Sequence, residues 1–442
     1  MDTREKLRRL LTEWREFPLP PLFERTFDLA VLRDARMLTL IGPRRAGKTF
    51  LCYQLVQHLR QTLPPGNVAY LNLEDERLHP LNGDELSLLL ETQAELFDVH
   101  PNQPFYLFVD EIQNAPQWSK WARRVVEQQP QVHLVLTGSS SSLLSREIAT
   151  ELRGRTRSFT VYPLSFAEYT RARGIAVTPA LLRTALRGRA RVTLKKVFNQ
   201  YLHTGGFPET LSATDPAAIL RDYYGVMFYR DLIERYAVKN IRLLEDFLTL
   251  MIDQTACLTS VSSTAKKLTA CGYALSKNTL TAFLRYATDI FLLFEAKRHS
   301  YKVTQQLVAP RKIYAIDHAL VKAIRFAGSA DYGRWLENIV FLELTRRKRA
   351  VYYHKQQREC DFLLGERGRI VGALQVCKSL ADPRTRQREF AGLREALTTY
   401  RLDKGLIITE DDHELVTDAG MQIEVVPAWY WLLGGTPCAT AV

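Results

Sequence analysis

One stretch narrows the possible folds more than any other: "LTLIGPRRAGKTF", Leu38 to Phe50, fits G-x-x-x-x-G-K-[ST] through Gly42, Gly47, Lys48 and Thr49. It follows an apolar run, Met37 to Ile41, that reads as a buried parallel strand, and it opens a run with helical apolar spacing. A chain that wraps polyphosphate needs backbone N–H groups close to the anion, and a glycine-rich turn brings them there. The loop Gly42, Pro43, Arg44, Arg45, Ala46, Gly47, Lys48, Thr49 and Phe50 is therefore the candidate ATP-binding segment. Lys48 is expected to reach the terminal phosphates and Thr49 to hold Mg²⁺, with the positive end of the following helix aimed at the anion.

A second stretch complements the first. In "PFYLFVDEIQ" the apolar strand Phe105 to Val109 ends in Asp110 and Glu111. Phosphoryl transfer needs one acid near Mg²⁺ and another to orient the attacking water. Asp110 is the candidate metal acid and Glu111 the candidate base, with Lys48 as the third catalytic group. Further on, the strand Val132 to Leu136 ends in Thr137 and Ser139, which read equally as γ-phosphate sensors or as a helix N-cap. Arg153, Arg155 and Arg157 in "ELRGRTRSF" are arginine-finger candidates, or else a solvated face. Arg44 and Arg45, mid-loop, are open to phosphate, a neighbouring subunit or solvent, and solvent or a neighbour is expected, since backbone amides already line the cradle. Glu74 and Asp75 read as loop acids.

The chain has 442 residues, enough for about two to three domains. Apolar strands alternate with helices from Met37 to about Tyr162, the pattern of a doubly wound parallel sheet. The expected division is an α/β ATPase core with an N-terminal amphipathic helix over 1–164, a helical lid-like region over 165–240, a winged helix over 241–308 and an α/β nuclease-like domain over 309–442. Gly205, Gly206 and Pro208 fit a sharp turn between helices. A helix, a turn around Gly272 and a helix capped by Ser276 precede an apolar strand, the layout of a helix-turn-helix with a wing. Ser276, Lys277, Asn278 and Thr279 are then the residues offered to a DNA groove, although such modules also join proteins to proteins.

A formal charge of +12 favours polyanionic partners. "RRKR" at Arg346 to Arg349 and "RGRARVTLKK" at Arg187 to Lys196 are basic clusters that read either as nucleic-acid contacts or as solvated faces. Six cysteines lie far apart with no C-x-x-C pair, the usage of a reduced compartment. No apolar run approaches the ~18 residues of a membrane span, so no membrane partner and a cytoplasmic location are expected.

"GPRRAGKT", "DEIQ", "LRGRTRSFTVYPLSFAEY", "TGGFPE", "YRDLIERY", "IYAIDHAL", "WLENIVFLEL" and "ECDFLL" together resemble a family of prokaryotic AAA-type P-loop ATPases with a C-terminal DUF4143-like domain. The resemblance spans nearly the whole chain. It implies an AAA+ module, a winged helix, a PD-(D/E)XK nuclease-like fold, homo-oligomerisation and a link to DNA. In the nuclease-like part, Glu337, Asp361, Gln375 and Lys378 are the candidate site, and Glu359 is an alternative acid. An active core of this kind places its lysine two residues after the Gln375 position, where Cys377 stands. Alternation along a strand puts Lys378 on the opposite face. A cation is then missing, unless a bulge re-aims Lys378 or another residue substitutes, and a degenerate nuclease is expected. Three functions compete: an ATP-driven DNA-processing machine, an ATP-dependent switch on a protein partner, and a Mg²⁺-dependent nuclease.

Overall fold

The computed structural model describes residues 2–79, 81, 85–140, 156–325, 332–418 and 420–435. The chain divides into two compact units, Met1–Tyr162 and Pro163–Val442.

The first unit is built on five parallel strands: β1 (Met37–Ile41), β2 (Val68–Asn72), β3 (Phe105–Asp110), β4 (Val132–Gly138) and β5 (Thr156–Thr160). Their order is β2-β3-β4-β1-β5. β1 and β3 are buried along their whole length, which is why both read as unbroken apolar runs rather than alternating ones. The insertion of β4 between β1 and β3 sets the site. Leu40 pairs with Thr137 on one side of β4 and Val109 with Leu136 on the other, so the ends of three strands converge.

The N-terminal helix Thr3–Glu16 buries Leu7, Leu10, Leu11 and Trp14, an i, i+3, i+4, i+7 stripe. Trp14 lies 4.4 Å from the Tyr70 ring and joins the core that includes Leu38, Leu40, Leu55 and Phe108. Full burial of a side chain the size of Phe108 contributes about 1.5–3 kcal/mol.

The second unit begins with helices and ends in a mixed sheet. Ser165 opens the helix Phe166–Ala172 with a capping box completed by Glu168. Gly205, with φ 73°, ends the helix Gly188–Thr204, and a Cβ there would lie 2.4 Å from Asp317 Oδ1. The expected turn thus has a second reason for glycine. Asp317 accepts from the Gly206 N–H at 2.7 Å while capping the helix His318–Ile324 through Ala319 and Leu320.

The helices Val261–Ala270 and Lys277–Asp289 flank a turn in which Gly272 has φ 91°. Among the described residues of this unit are nine strands, the first before those two helices and the rest after them: β6 (Leu258–Thr259), β7 (Leu293–Arg298), β8 (Arg311–Ala315), β9 (Ala350–Lys355), β10 (Glu359–Glu366), β11 (Arg369–Val376), β12 (Lys404–Thr409), β13 (Glu414–Asp418) and β14 (Met421–Pro427). They form one sheet in the order β13-β14-β12-β11-β10-β9-β7-β8-β6. The expected boundary at 308/309 cuts this sheet. β8 pairs antiparallel with β7 and β6, and β7 pairs parallel with β9 through Lys297 and Arg298. Backbone pairing across non-adjacent segments is invisible to a boundary drawn from local pattern.

Candidate active site

At the end of β1 the chain turns through Gly42, where a Cβ would stand 2.2 Å from the Val161 carbonyl oxygen. Only glycine fits. Arg45 (φ 64°) and Gly47 (φ 94°) adopt left-handed conformations, and Gly47 is the N-cap of the helix Lys48–Leu59. Ala46 is buried, Pro43 is buried and Phe50 is exposed. Lys48 is 5% exposed, and its ammonium donates to the carbonyls of Gly42 (3.2 Å) and Pro43 (3.1 Å).

The acidic strand meets this loop directly. Thr49 Oγ1 donates to Asp110 Oδ2 at 2.6 Å, the Tyr70 hydroxyl donates to the same oxygen at 2.8 Å, and the Thr137 hydroxyl donates to Asp110 Oδ1. Burial pushes the Asp110 carboxyl above the usual range, although donation from Thr137, Thr49 and Tyr70 opposes this. Glu111, in a left-handed conformation, donates its N–H to Thr137 Oγ1 at 2.9 Å. Its carboxylate accepts from the Gln113 amide and lies 3.9 Å from the Lys48 ammonium. Lys48, Thr49, Asp110, Glu111 and Thr137 are thus one cluster.

This donor set fits a magnesium nucleotide. A hydroxyl and a carboxylate within 2.6 Å of each other are the hard oxygen ligands that Mg²⁺ takes. The loop leaves no room for a side chain at Gly42, and Lys48 satisfies itself on carbonyls that it can exchange for phosphate oxygens.

Arg44 pairs with Glu74 at 3.2 Å, and its side chain is 16% exposed, which leaves it little open to solvent. Glu74 and Asp75 stand in the loop after β2, where Asp75 bridges to Arg77 at 2.7 Å. Arg157 stands beside Leu38 in the β1–β5 register, about 13 Å of strand from Gly42, so it does not serve the loop of its own chain. Arg153 and Arg155 lie outside the described residues, as does the segment that Thr137 or Ser139 would cap. Ser139 is buried at the end of β4. Pattern reading missed Tyr70 and Gln113: the second stands within "DEIQ" at two residues from Glu111, whereas nothing local marks Tyr70.

In the second unit, Glu337, Asp361 and Gln375 come together from the helix Tyr332–Arg346, β10 and β11. The cation in their midst is one that strand alternation around Gln375 does not predict. Lys312 of β8, 1% exposed, donates to Asp361 Oδ1 (2.7 Å) and Glu337 Oε1 (3.0 Å) and pairs with Glu359 Oε1 (2.9 Å). Burial pushes the Lys312 ammonium down, but Asp361, Glu337 and Glu359 outweigh it and hold it well above its ordinary value. Burial, then Asp361, pushes the Glu337 carboxyl up to about 8. Gln375 Oε1 accepts the Asp361 N–H at 3.1 Å, and its amide donates to Glu389. The one available signal for Lys312 was a lysine inside the apolar strand "KIYAI", since lysine is rarely buried without partners.

Lys378 is not turned away from Gln375. β11 ends at Val376, strict alternation stops there, and Lys378 lines the same cleft as Gln375 with its ammonium 5.4 Å from the Tyr332 ring.

The candidate groove residues begin the helix Lys277–Asp289. Ser276, Lys277 and Asn278 are exposed and Thr279 half-buried, with the Ser276 hydroxyl spent on the Thr279 N–H at 3.1 Å. The basic clusters are partly committed. Arg346 and Arg347 both bond Glu343 and also reach the carbonyls of Pro163 and Trp431, while Arg191 and Lys195 share Asp411.

Comparison with known proteins matches residues 34–170 to an AAA domain and residues 195–331 to a domain of unknown function, DUF8612. The second match runs from the helical middle through β6–β8, across the winged-helix part of the expected DUF4143-like domain, and carries a different family description. Over 414 residues the chain is 31% identical to Uncharacterized protein MJ1544 of Methanocaldococcus jannaschii, covering 90% of this chain and 88% of that one. The chain belongs to that protein's family. A second relative is an Uncharacterized protein of Haemophilus influenzae, 26% identical over 91% of this chain and 96% of its own. Among solved structures, the Walker-type ATPase paby2304 of Pyrococcus abyssi aligns with 70% of this chain and 99% of its own at 14% identity and a TM-score of 0.46. The match to the AAA domain takes in all five strands of the first unit, with the glycine loop and the acidic strand inside the matched span, and runs on to residue 170. No helix among the described residues is long and apolar enough to cross a membrane.

Proposed function

We propose that this protein hydrolyses ATP and uses the cycle to act on DNA. The observation that carries the hydrolytic part is the bonded chain Thr49–Asp110–Thr137–Glu111 beside Lys48. The amides of Gly42 to Gly47 receive the phosphates, and Lys48 exchanges its carbonyl partners for phosphate oxygens. Mg²⁺, held by Thr49 and Asp110, supplies charge neutralisation on the phosphates when bound. Thr137 locks the Asp110 carboxylate and the Glu111 backbone into one geometry. Glu111 takes a proton from the water that attacks the terminal phosphorus, and Gln113 holds that carboxylate until substrate is in place. ADP and inorganic phosphate leave. Arg157 stands away from its own loop, so the finger arginine of this reading is Arg153, Arg155 or a residue of another subunit in a homo-oligomer.

The DNA part rests on the net charge, on the helix-turn-helix with its following strand read as a winged helix, and on the Glu337–Asp361–Gln375 arrangement read as a nuclease-like fold. Rates of ATP hydrolysis measured at fixed salt against single-stranded, duplex and branched DNA test it. Stimulation by one form supports the reading, and equal rates with and without every form overturn it.

A switch acting on a protein partner is the second reading. It is favoured by the commitment of Arg346 and Arg347 to the buried Glu343 and by the sharing of Asp411 between Arg191 and Lys195, which offsets part of the basic surface expected for DNA. It predicts turnover indifferent to DNA and altered by the partner.

A further inference from the structure

A cleft of about 880 Å³ opens over Glu337, Asp361 and Gln375, and Lys355, Arg358, Lys378 and Arg388 stand along its rim. Three carboxylates converging in one floor are an arrangement that ordinarily gathers a hard cation. Here the cation is part of the chain. The Lys312 ammonium lies 2.7–3.0 Å from an oxygen of Asp361, Glu359 and Glu337 and is closed off from solvent.

Most of the oxygens a metal would use are also spent. Asp361 gives Oδ1 to Lys312 and Oδ2 to the Val376 N–H at 2.9 Å. Glu337 Oε1 accepts from both Lys312 and the Tyr314 hydroxyl, at 3.0 and 2.7 Å, and Gln375 Oε1 accepts the Asp361 N–H. A divalent ion entering this floor must displace a buried ammonium and break several of these bonds at once. Two of the rim cations remain for a ligand: the Arg358 guanidinium and the Lys378 ammonium pair with no carboxylate among the described residues, the Glu395 carboxylate taking only the Arg358 backbone N–H, whereas Lys355 and Arg388 pair with Glu359 and Glu389.

We propose that this cleft grips the phosphate backbone of a nucleic acid without a divalent metal and without cutting it, Lys312 standing permanently where the metal would be. The proposal rests on the DNA reading above and specifies where and how the backbone is held. Lys312 cancels enough floor charge for phosphate to approach, and Arg358 and Lys378 contact it from the rim.

The test uses the full chain and a short fluorescent duplex, read by anisotropy at matched ionic strength. Affinity is expected to be the same in Mg²⁺ and in EDTA. It should weaken about tenfold or more in Arg358→Glu/Lys378→Glu, with a shallower salt dependence. The duplex should stay intact in Mg²⁺ or Mn²⁺. Equal affinity of the double variant and wild type overturns the cleft assignment while leaving DNA binding elsewhere in place; failure of wild type to bind any DNA removes the broader reading as well. Strand cleavage, or binding that requires the metal, overturns the role of Lys312.

A second arm follows the cation alone, without nucleotide. Lys312→Ala should melt below wild type and be restabilised by Mn²⁺, an effect lost on adding Asp361→Asn, whereas the wild-type midpoint should not respond. Absence of restabilisation counts against the proposal. Where Lys312→Ala does not fold, bound Mn²⁺ is compared by electron paramagnetic resonance in wild type and Asp361→Asn. Equal occupancy supports the proposal, and loss of one ion in Asp361→Asn overturns it.

Discussion

The Thr49 hydroxyl and Asp110 Oδ2 lie 2.6 Å apart, a single bond that ties the first residues of the loop helix to the end of the acidic strand. Neither residue is near the other in sequence. Their meeting follows from β4 standing between β1 and β3 and bringing all three strand ends to one edge.

That bond predicts matched effects of two substitutions. Thr49→Ala and Asp110→Asn should each lower Mg²⁺-dependent phosphate release by on the order of a hundredfold or more, because the first removes the hydroxyl and the second the negative charge poised for the metal. ATP binding measured in EDTA should change little. A variant with wild-type turnover would remove its residue from the metal site.

Glu111 and Lys48 should separate chemistry from binding. Glu111→Gln keeps the Gln113 contact in shape but cannot take a proton, so turnover should fall about 10²–10⁴-fold with ATP affinity retained. Lys48→Ala should instead weaken ATP affinity, measured by titration calorimetry. Equal loss of affinity in both would contradict these roles.

Tyr70→Phe tests the donor that pattern reading missed. Its hydroxyl stabilises the charged form of Asp110, whose carboxyl is already pushed up by burial. Removing it raises that carboxyl further, so the acid limb of the ATPase pH profile should move to higher pH. A limb that stays in place or moves down would show that Tyr70 does not bear on Asp110.

Glu337 ties stability in the second unit to pH. Its carboxyl is pushed up to about 8 in the folded chain, so the unfolded state ionises first as pH rises. The stability it contributes is complete below about pH 4.5 and is lost as pH climbs through about 8. Glu337→Gln keeps an oxygen to accept from Lys312 and Tyr314 but does not ionise. Relative to wild type, its melting temperature should rise between pH 5 and 9. A constant difference across that range would mean that Glu337 titrates normally.

Lys312 shows how far local pattern reaches. The Gln375–Cys377 spacing puts a cysteine where the lysine would stand, and the buried ammonium arrives instead from β8, a strand assigned to the same segment but paired with β6 and β7. Breaking such a buried cluster by removing one partner typically costs about 3–5 kcal/mol, a price no spacing along the chain reveals. Likewise "RRKR" has the composition of a polyanion contact, and only the position of Glu343 shows that its first two arginines are already held.

The sequence by itself determined the phosphate loop, the acidic strand end, the parallel alternation from Met37 onward and the Ser276-capped second helix. Each rests on spacing within a dozen or so residues, where backbone geometry and solvent preference act directly on neighbours. Only the tertiary structure decided that Tyr70 serves Asp110, that Arg44 serves Glu74 and that Lys312 fills the acidic floor of the second unit. Those pairings depend on which strands lie side by side, and strand order is settled by burial and hydrogen bonding summed over the whole unit rather than by any one segment.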